Sequence, residues 1–140
     1  MSEGGAVFGC GLLPWQIKRV QAYVAEAMTD RMTLAEVSGR VRLSSAYFSR
    51  CFRQSFGVTF TRFVAQARIE RALRLMATSP ASLSAIAQAC GFSDQSHFTR
   101  TFVALIGSTP AQWRRRAVEG DRRRSGVTGD DAEAGVRPAA

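Results

Sequence analysis

Part of this chain is written twice, and that restricts its fold more than any other feature. VSGRVRLSSAYFSRCFRQSFGVTF (residues 37–60) lies over IAQACGFSDQSHFTRTFVALIGSTP (residues 86–110), displaced by 49 residues before a central turn and by 50 after it. The alignment puts the one-residue shift after Ala46, which pairs Ser44 with Ser93 and Ala46 with Gln95. Each copy carries a short apolar rhythm (Leu34, Val37, Val41; Leu83, Ile86, Cys90) and an apolar plug at Leu43 or Phe92. A serine and two phenylalanines four apart follow, Phe48 with Phe52 and Phe98 with Phe102. Spacings of three, four and seven put side chains on one face of a helix, so each copy predicts a short amphipathic helix, a tight turn and a second helix. This is the helix-turn-helix pattern.

The flanking segments continue the helical grammar. Pro14 suits a first helical turn, and Trp15, Ile17, Val20, Val24 and Met28 follow it at largely helical spacing. Thr33 with Glu36 reads as a capping box, Ser44 as the cap of the helix holding Phe48 and Phe52, and Gly57 as its stop. Thr59 opens a longer helix to about Thr78, with Phe60, Phe63, Val64, Ala67, Ile69, Ala72, Leu73 and Met76 as its apolar stripe, ended by Pro80. Ser82 and Ser93 cap the helices of the second copy, Gly91 supplies its left-handed turn and Gly107 its end. Thr109 and Pro110 begin a last short helix through Trp113 to about Ala117. The expected fold is all-α: two helix-turn-helix subdomains joined by a linker helix, about seven helices in all. Residues 1–13 form a flexible lead-in, 14–58 the first subdomain, 59–79 the linker, 80–117 the second subdomain and 118–140 a disordered tail without aromatics.

Charge points to the partner. The chain has 19 Lys+Arg against 11 Asp+Glu, net +8, and residues 14–116 alone carry 15 basic and 5 acidic side chains. Nearly all the cations are arginine, so a polyanion is the first partner to expect. Cys10, Cys51 and Cys90 have no zinc-ligand spacing, and Cys51 and Cys90 fall on apolar helical positions as core residues. No metal or cofactor is expected. Without an apolar run long enough for a signal peptide or a membrane span, the cytoplasm is the expected compartment.

The helix after each turn divides into two faces. At about 100° per residue from Phe98, Phe102 and Leu105 fall within about 40°, whereas Ser96, Thr99 and Arg100 fall at about 160°, 100° and 200°. In the first copy Phe48, Cys51 and Phe52 point inward, and Ala46, Ser49, Arg50 and Arg53 lie opposite. Small side chains let a helix sink into the major groove, where Arg can donate two hydrogen bonds to guanine O6 and N7. The linker helix would be about 28 Å long at 1.5 Å per residue, near the about 34 Å between successive major-groove faces. One chain could therefore fill two adjacent grooves as a monomer, with some bending of the DNA.

These residues resemble the DNA-binding domain of the AraC/XylS family of bacterial transcription regulators. IAQACGFSDQSHFTRTFVALIGSTPAQWRR carries the family's Ile-Ala pair, Gly-Phe, aromatic-x-x-x-aromatic helix and Gly-x-x-Pro turn in order, and the likeness covers about residues 14–116. The resemblance implies a non-enzymatic, sequence-specific binder of double-stranded DNA, with RNA polymerase as a further partner and no membrane association. It places Ala46, Ser49 and Arg50 of the first recognition helix, and Gln95, Ser96, Thr99 and Arg100 of the second, against bases. Ser44, Arg53, Ser93 and Thr109 are the candidates for phosphate contacts. Arg42 stands where the second copy has Gly91, Ser38 where it has Ala87, and Val103 where the first has Arg53. The family usually joins this domain to a ligand-binding or dimerisation domain, and no segment here is long enough for one. A stand-alone regulator or a piece of a longer one is implied.

Other functions weigh less. His97 lies at the inner edge of its helix, where a packed histidine is ordinary, and Asp94 suits a helix N-terminus better than a general base. Charge-driven, nucleoid-type binding without sequence preference is the alternative. A DNA-repair methyl-acceptor fragment would need a cysteine-zinc module that this sequence lacks. Trp15, Phe63 and Trp113 are expected in the core.

Overall fold

The computed structural model describes residues 11–126, which form seven helices and no strand. They are α1 (Pro14–Glu26), α2 (Leu34–Arg40), α3 (Ser45–Phe56), α4 (Phe60–Thr78), α5 (Leu83–Ala89), α6 (Gln95–Ile106) and α7 (Pro110–Gly126). The architecture is the expected all-α pair of helix-turn-helix subdomains. Residues 1–10 of the expected lead-in and 127–140 of the expected tail lie outside the described residues.

Local chemistry explains most helix ends. Thr33, Ser44 and Ser82 accept hydrogen bonds from the backbone N–H groups of Glu36, Tyr47 and Ala85. Thr59 accepts from Arg62 N–H, and Thr109 and Gln112 close a reciprocal capping box at 3.0 and 3.1 Å. Gly57 and Gly107 end α3 and α6 in the left-handed region, at φ 80° and 95°. The Thr33 box stays half made, because Glu36 Oε1 instead accepts from the Tyr23 hydroxyl at 2.9 Å.

Chain contacts cluster into two compact units, divided between Ala67 and Arg68 inside α4. In the first, Val20, Tyr23, Val24, Val37, Val41, Phe48, Cys51, Phe52, Phe60 and Val64 form one buried cluster. In the second, Ile69, Ala72, Met76, Ile86, Ala87, Cys90, Phe92, Phe98, Phe102 and Trp113 form another. The linker helix thus has no core of its own; its first half completes one subdomain and its second half the other. Cys51 and Cys90 are core residues, as expected, and burial pushes the Cys90 thiol up against the opposing pull of Arg71, Arg74 and Arg68.

Three details depart from the sequence reading. Trp15 is 43% exposed, and its ring carries the Arg19 guanidinium instead of joining the core. The inner position falls to Gln16, whose Oε1 accepts from Leu13 N–H at 2.8 Å and whose Nε2 donates to Val41 O at 3.1 Å. A polar residue with both ends of its amide satisfied can replace a hydrophobe there, so an apolar-only pattern misplaced the first position of the stripe, while Val20 and Val24 are buried as expected. Second, α7 runs to Gly126 rather than ending near Ala117. A helix already nucleated against a core extends at the gain of one hydrogen bond per residue, and arginine is a good helix former. Third, α6 is capped by Asp94, not Ser93: Asp94 Oδ1 accepts from His97 N–H at 2.7 Å.

Candidate nucleic-acid interface

The Asp94 cap resets the register of the repeat. Leu43 N–H reaches Ser38 O at 3.0 Å and Phe92 N–H reaches Ala87 O at 3.0 Å, so the 49-residue displacement holds through the plugs. The caps Ser44 and Asp94 are 50 apart, and so are the helices they open. The extra residue is therefore Ser93, inside the second turn, and the shift does not fall after Ala46. Ala46 becomes the counterpart of Ser96 and Ser45 that of Gln95, while Ser49 and Arg50 still match Thr99 and Arg100.

Both helices divide as the 3.6-residue period requires. On α3, Phe48, Cys51 and Phe52 are buried, whereas Ala46, Arg50 and Arg53 are exposed and Ser49 is half-buried. Ser49, Arg50 and Arg53 line one groove with Gln54, Thr59 and Thr61; Ala46 stands outside it. On α6, Phe98 and Phe102 are buried, and Gln95, Ser96, Thr99 and Arg100 together surround one open concavity. Aromatic stacking fixes the inner side: the Phe52 and Phe56 rings are 4.2 Å apart, and Phe98 sits 5.2 Å from Phe92 and 5.7 Å from Phe102.

Hydroxyls named for phosphate contact sit at or beside helix starts, already oriented. Ser44 and Thr109 accept from the backbone, which leaves each O–H free to donate outward. Ser93 is exposed in the turn, its Oγ 3.2 Å from His97 Nδ1. His97 is half-buried, its ring 5.3 Å from Phe92. Arg53 has no counterpart on α6, where Val103 is 40% exposed, so the first surface carries one more cation. Among the described residues, no three His, Cys, Asp or Glu side chains come together as metal ligands would, and no helix is long and apolar enough to cross a membrane.

Sequence reasoning missed two supporting residues besides Gln16. Arg114 donates to the carbonyls of Ala81 and Ser79, each at 2.7 Å, and its Nε approaches Met76 O at 3.4 Å. It satisfies carbonyls left open where α4 ends and ties that end to α7. Tyr47 lies on the outer side of α3, 39% exposed, with the Arg50 guanidinium 5.5 Å from its ring centre. Only the i, i+3 spacing of Tyr47 and Arg50 could have signalled that pair. For Arg114, whose partners lie over 30 residues away, the sequence holds no local signal.

Comparison with known proteins gives a consistent result. A family model described as a helix-turn-helix domain matches residues 37–116. LumQ of Photobacterium leiognathi, named as a probable transcriptional regulator, is 31% identical over 94 residues, 67% of this chain and 38% of LumQ. The DNA-binding domain of AdpA, solved in complex with a target DNA, superposes with a TM-score of 0.70 at 26% identity, covering 80% of this chain and 98% of that one. A probable AraC family transcriptional regulator from Rhodopseudomonas palustris superposes at 0.64 with 25% identity, over 73% of this chain and 96% of that one. The chain spans about a third of the length of the curated relatives it matches. With the family model covering more than half of its residues and both structural likenesses running through the two subdomains, the chain belongs to the AraC/XylS family of helix-turn-helix regulators.

Proposed function

We propose that the chain binds double-stranded DNA sequence-specifically and regulates transcription, with α3 and α6 as recognition helices in successive major grooves. The observation that carries this reading is the repeated outer surface. Arg50 and Arg100 stand at equivalent positions beside small polar side chains, each opposite a seam of buried phenylalanines. Arg50, Ser49 and Ala46, and Arg100, Thr99, Ser96 and Gln95, are the base-reading set; Ser44, Arg53, Ser93 and Thr109 hold phosphates. Both recognition helices belong to one chain, so the reading calls for one copy per site. AdpA's domain, similar along most of this chain, was captured on its target DNA.

Selection from a random DNA pool tests the proposal. The expected product is a bipartite motif with centres about one helical turn apart, bound by one chain per site in sedimentation. Arg50→Ala and Arg100→Ala should each cost about 1–3 kcal/mol on the selected site and relax one base position. Arg53→Ala should weaken all sequences alike and lower the salt slope by about 1. An equal loss on random and selected DNA for both arginine variants would leave charge-driven, nucleoid-type binding as the function.

A further inference from the structure

Positions 47 and 97 are equivalent, three residues into the helix from the caps Ser44 and Asp94, yet the two subdomains use them oppositely. His97 turns back toward the turn, held by Ser93 and the Phe92 ring, and among the described residues no aromatic ring lies beneath Arg100. The first turn is one residue shorter, with no counterpart of Ser93 and with Leu43 in place of Phe92. Tyr47 turns outward there, and its ring lies beneath the Arg50 guanidinium.

Resting on the DNA-reading proposal, we infer that Tyr47 is a positioning residue that orders Arg50 for base recognition, making the first subdomain the stricter reader at its arginine position. Two parallel hydrogen bonds to guanine demand one orientation of the guanidinium plane. A guanidinium already held over an aromatic face loses less rotamer freedom on docking, and its edge N–H groups remain available to donate. Arg100 must lose that freedom when it binds. The difference in base preference expected from an exposed cation–π contact is about two- to fivefold.

The test is DNA selection and competition with the full chain carrying Tyr47→Leu, Tyr47→Phe, Arg50→Ala or Arg100→Ala. Leucine removes the quadrupole and keeps helix propensity, and thermal melting reports whether each variant folds. Tyr47→Leu should lower preference about two- to fivefold at the base position that Arg50→Ala relaxes, and leave the Arg100 position alone. Tyr47→Phe should restore the wild-type preference, and Tyr47→Leu should add nothing in an Arg50→Ala background. Unchanged preference in Tyr47→Leu, an equal loss in Tyr47→Phe, or an effect that persists without Arg50 would each overturn the positioning role. If Arg50→Ala itself relaxes no position, the base-reading proposal fails, and the role of Tyr47 fails with it.

Discussion

At the scale of single residues, the two turns make a natural experiment. Gly91 and Arg42 occupy the same place, at φ 90° and 63°, and Arg42 is the one non-glycine residue with positive φ among those described. An L side chain in the left-handed region is strained because its Cβ crowds the following carbonyl. Arg42→Gly should therefore stabilise the chain by about 0.5–1 kcal/mol, the relieved strain exceeding glycine's extra entropy in the unfolded state. Gly91→Ala should cost about 1 kcal/mol. Urea denaturation of both variants checks the pair, and a loss of stability in Arg42→Gly would mean that its side chain makes a contact outweighing the strain.

At the scale of helices, the ends are governed by side chains within a few residues and are open to equally local tests. Asp94→Ala should lower stability by about 1 kcal/mol, because α6 then begins with an uncapped N–H, whereas Ser93→Ala should cost less than about half of that. Reversal of this order in chemical denaturation would restore Ser93 as the cap. The extent of α7 has a different origin: its start is set by the Thr109–Gln112 box, and a helix nucleated against the core through Trp113 lengthens at the gain of one backbone hydrogen bond per residue.

At the scale of the whole molecule, each unit has its own aromatic centre and draws on its own half of α4. Phe52 and Phe98 are fully buried, so Phe52→Ala and Phe98→Ala should each cost about 3–5 kcal/mol. Native-state hydrogen exchange should divide the effects: Phe52→Ala should speed exchange in α1, α2 and α3 more than in α5 and α6, and Phe98→Ala should do the reverse. Uniform acceleration by either variant would contradict separate cores.

Helix count, the duplicated turn-and-helix unit, the inward phenylalanines and both outward arginines were legible in the linear sequence. They rest on periods of three to seven residues and on caps that bond to neighbours three positions away. The cap at Asp94 lay within that range too, but Ser93 and Asp94 compete for one role, and only the backbone path through the turn settles which accepts from His97. The burial of Gln16 in place of Trp15, the Arg114 bonds to three carbonyls and the opposite turning of Tyr47 and His97 came from tertiary structure alone. Gln16 and Arg114 depend on partners more than 20 residues away, whereas Tyr47 and His97 have partners within five residues and only the path of each turn decides which way the side chain lies. Periodicity reports which face of a helix turns inward; what that face or its edge will meet is decided by packing.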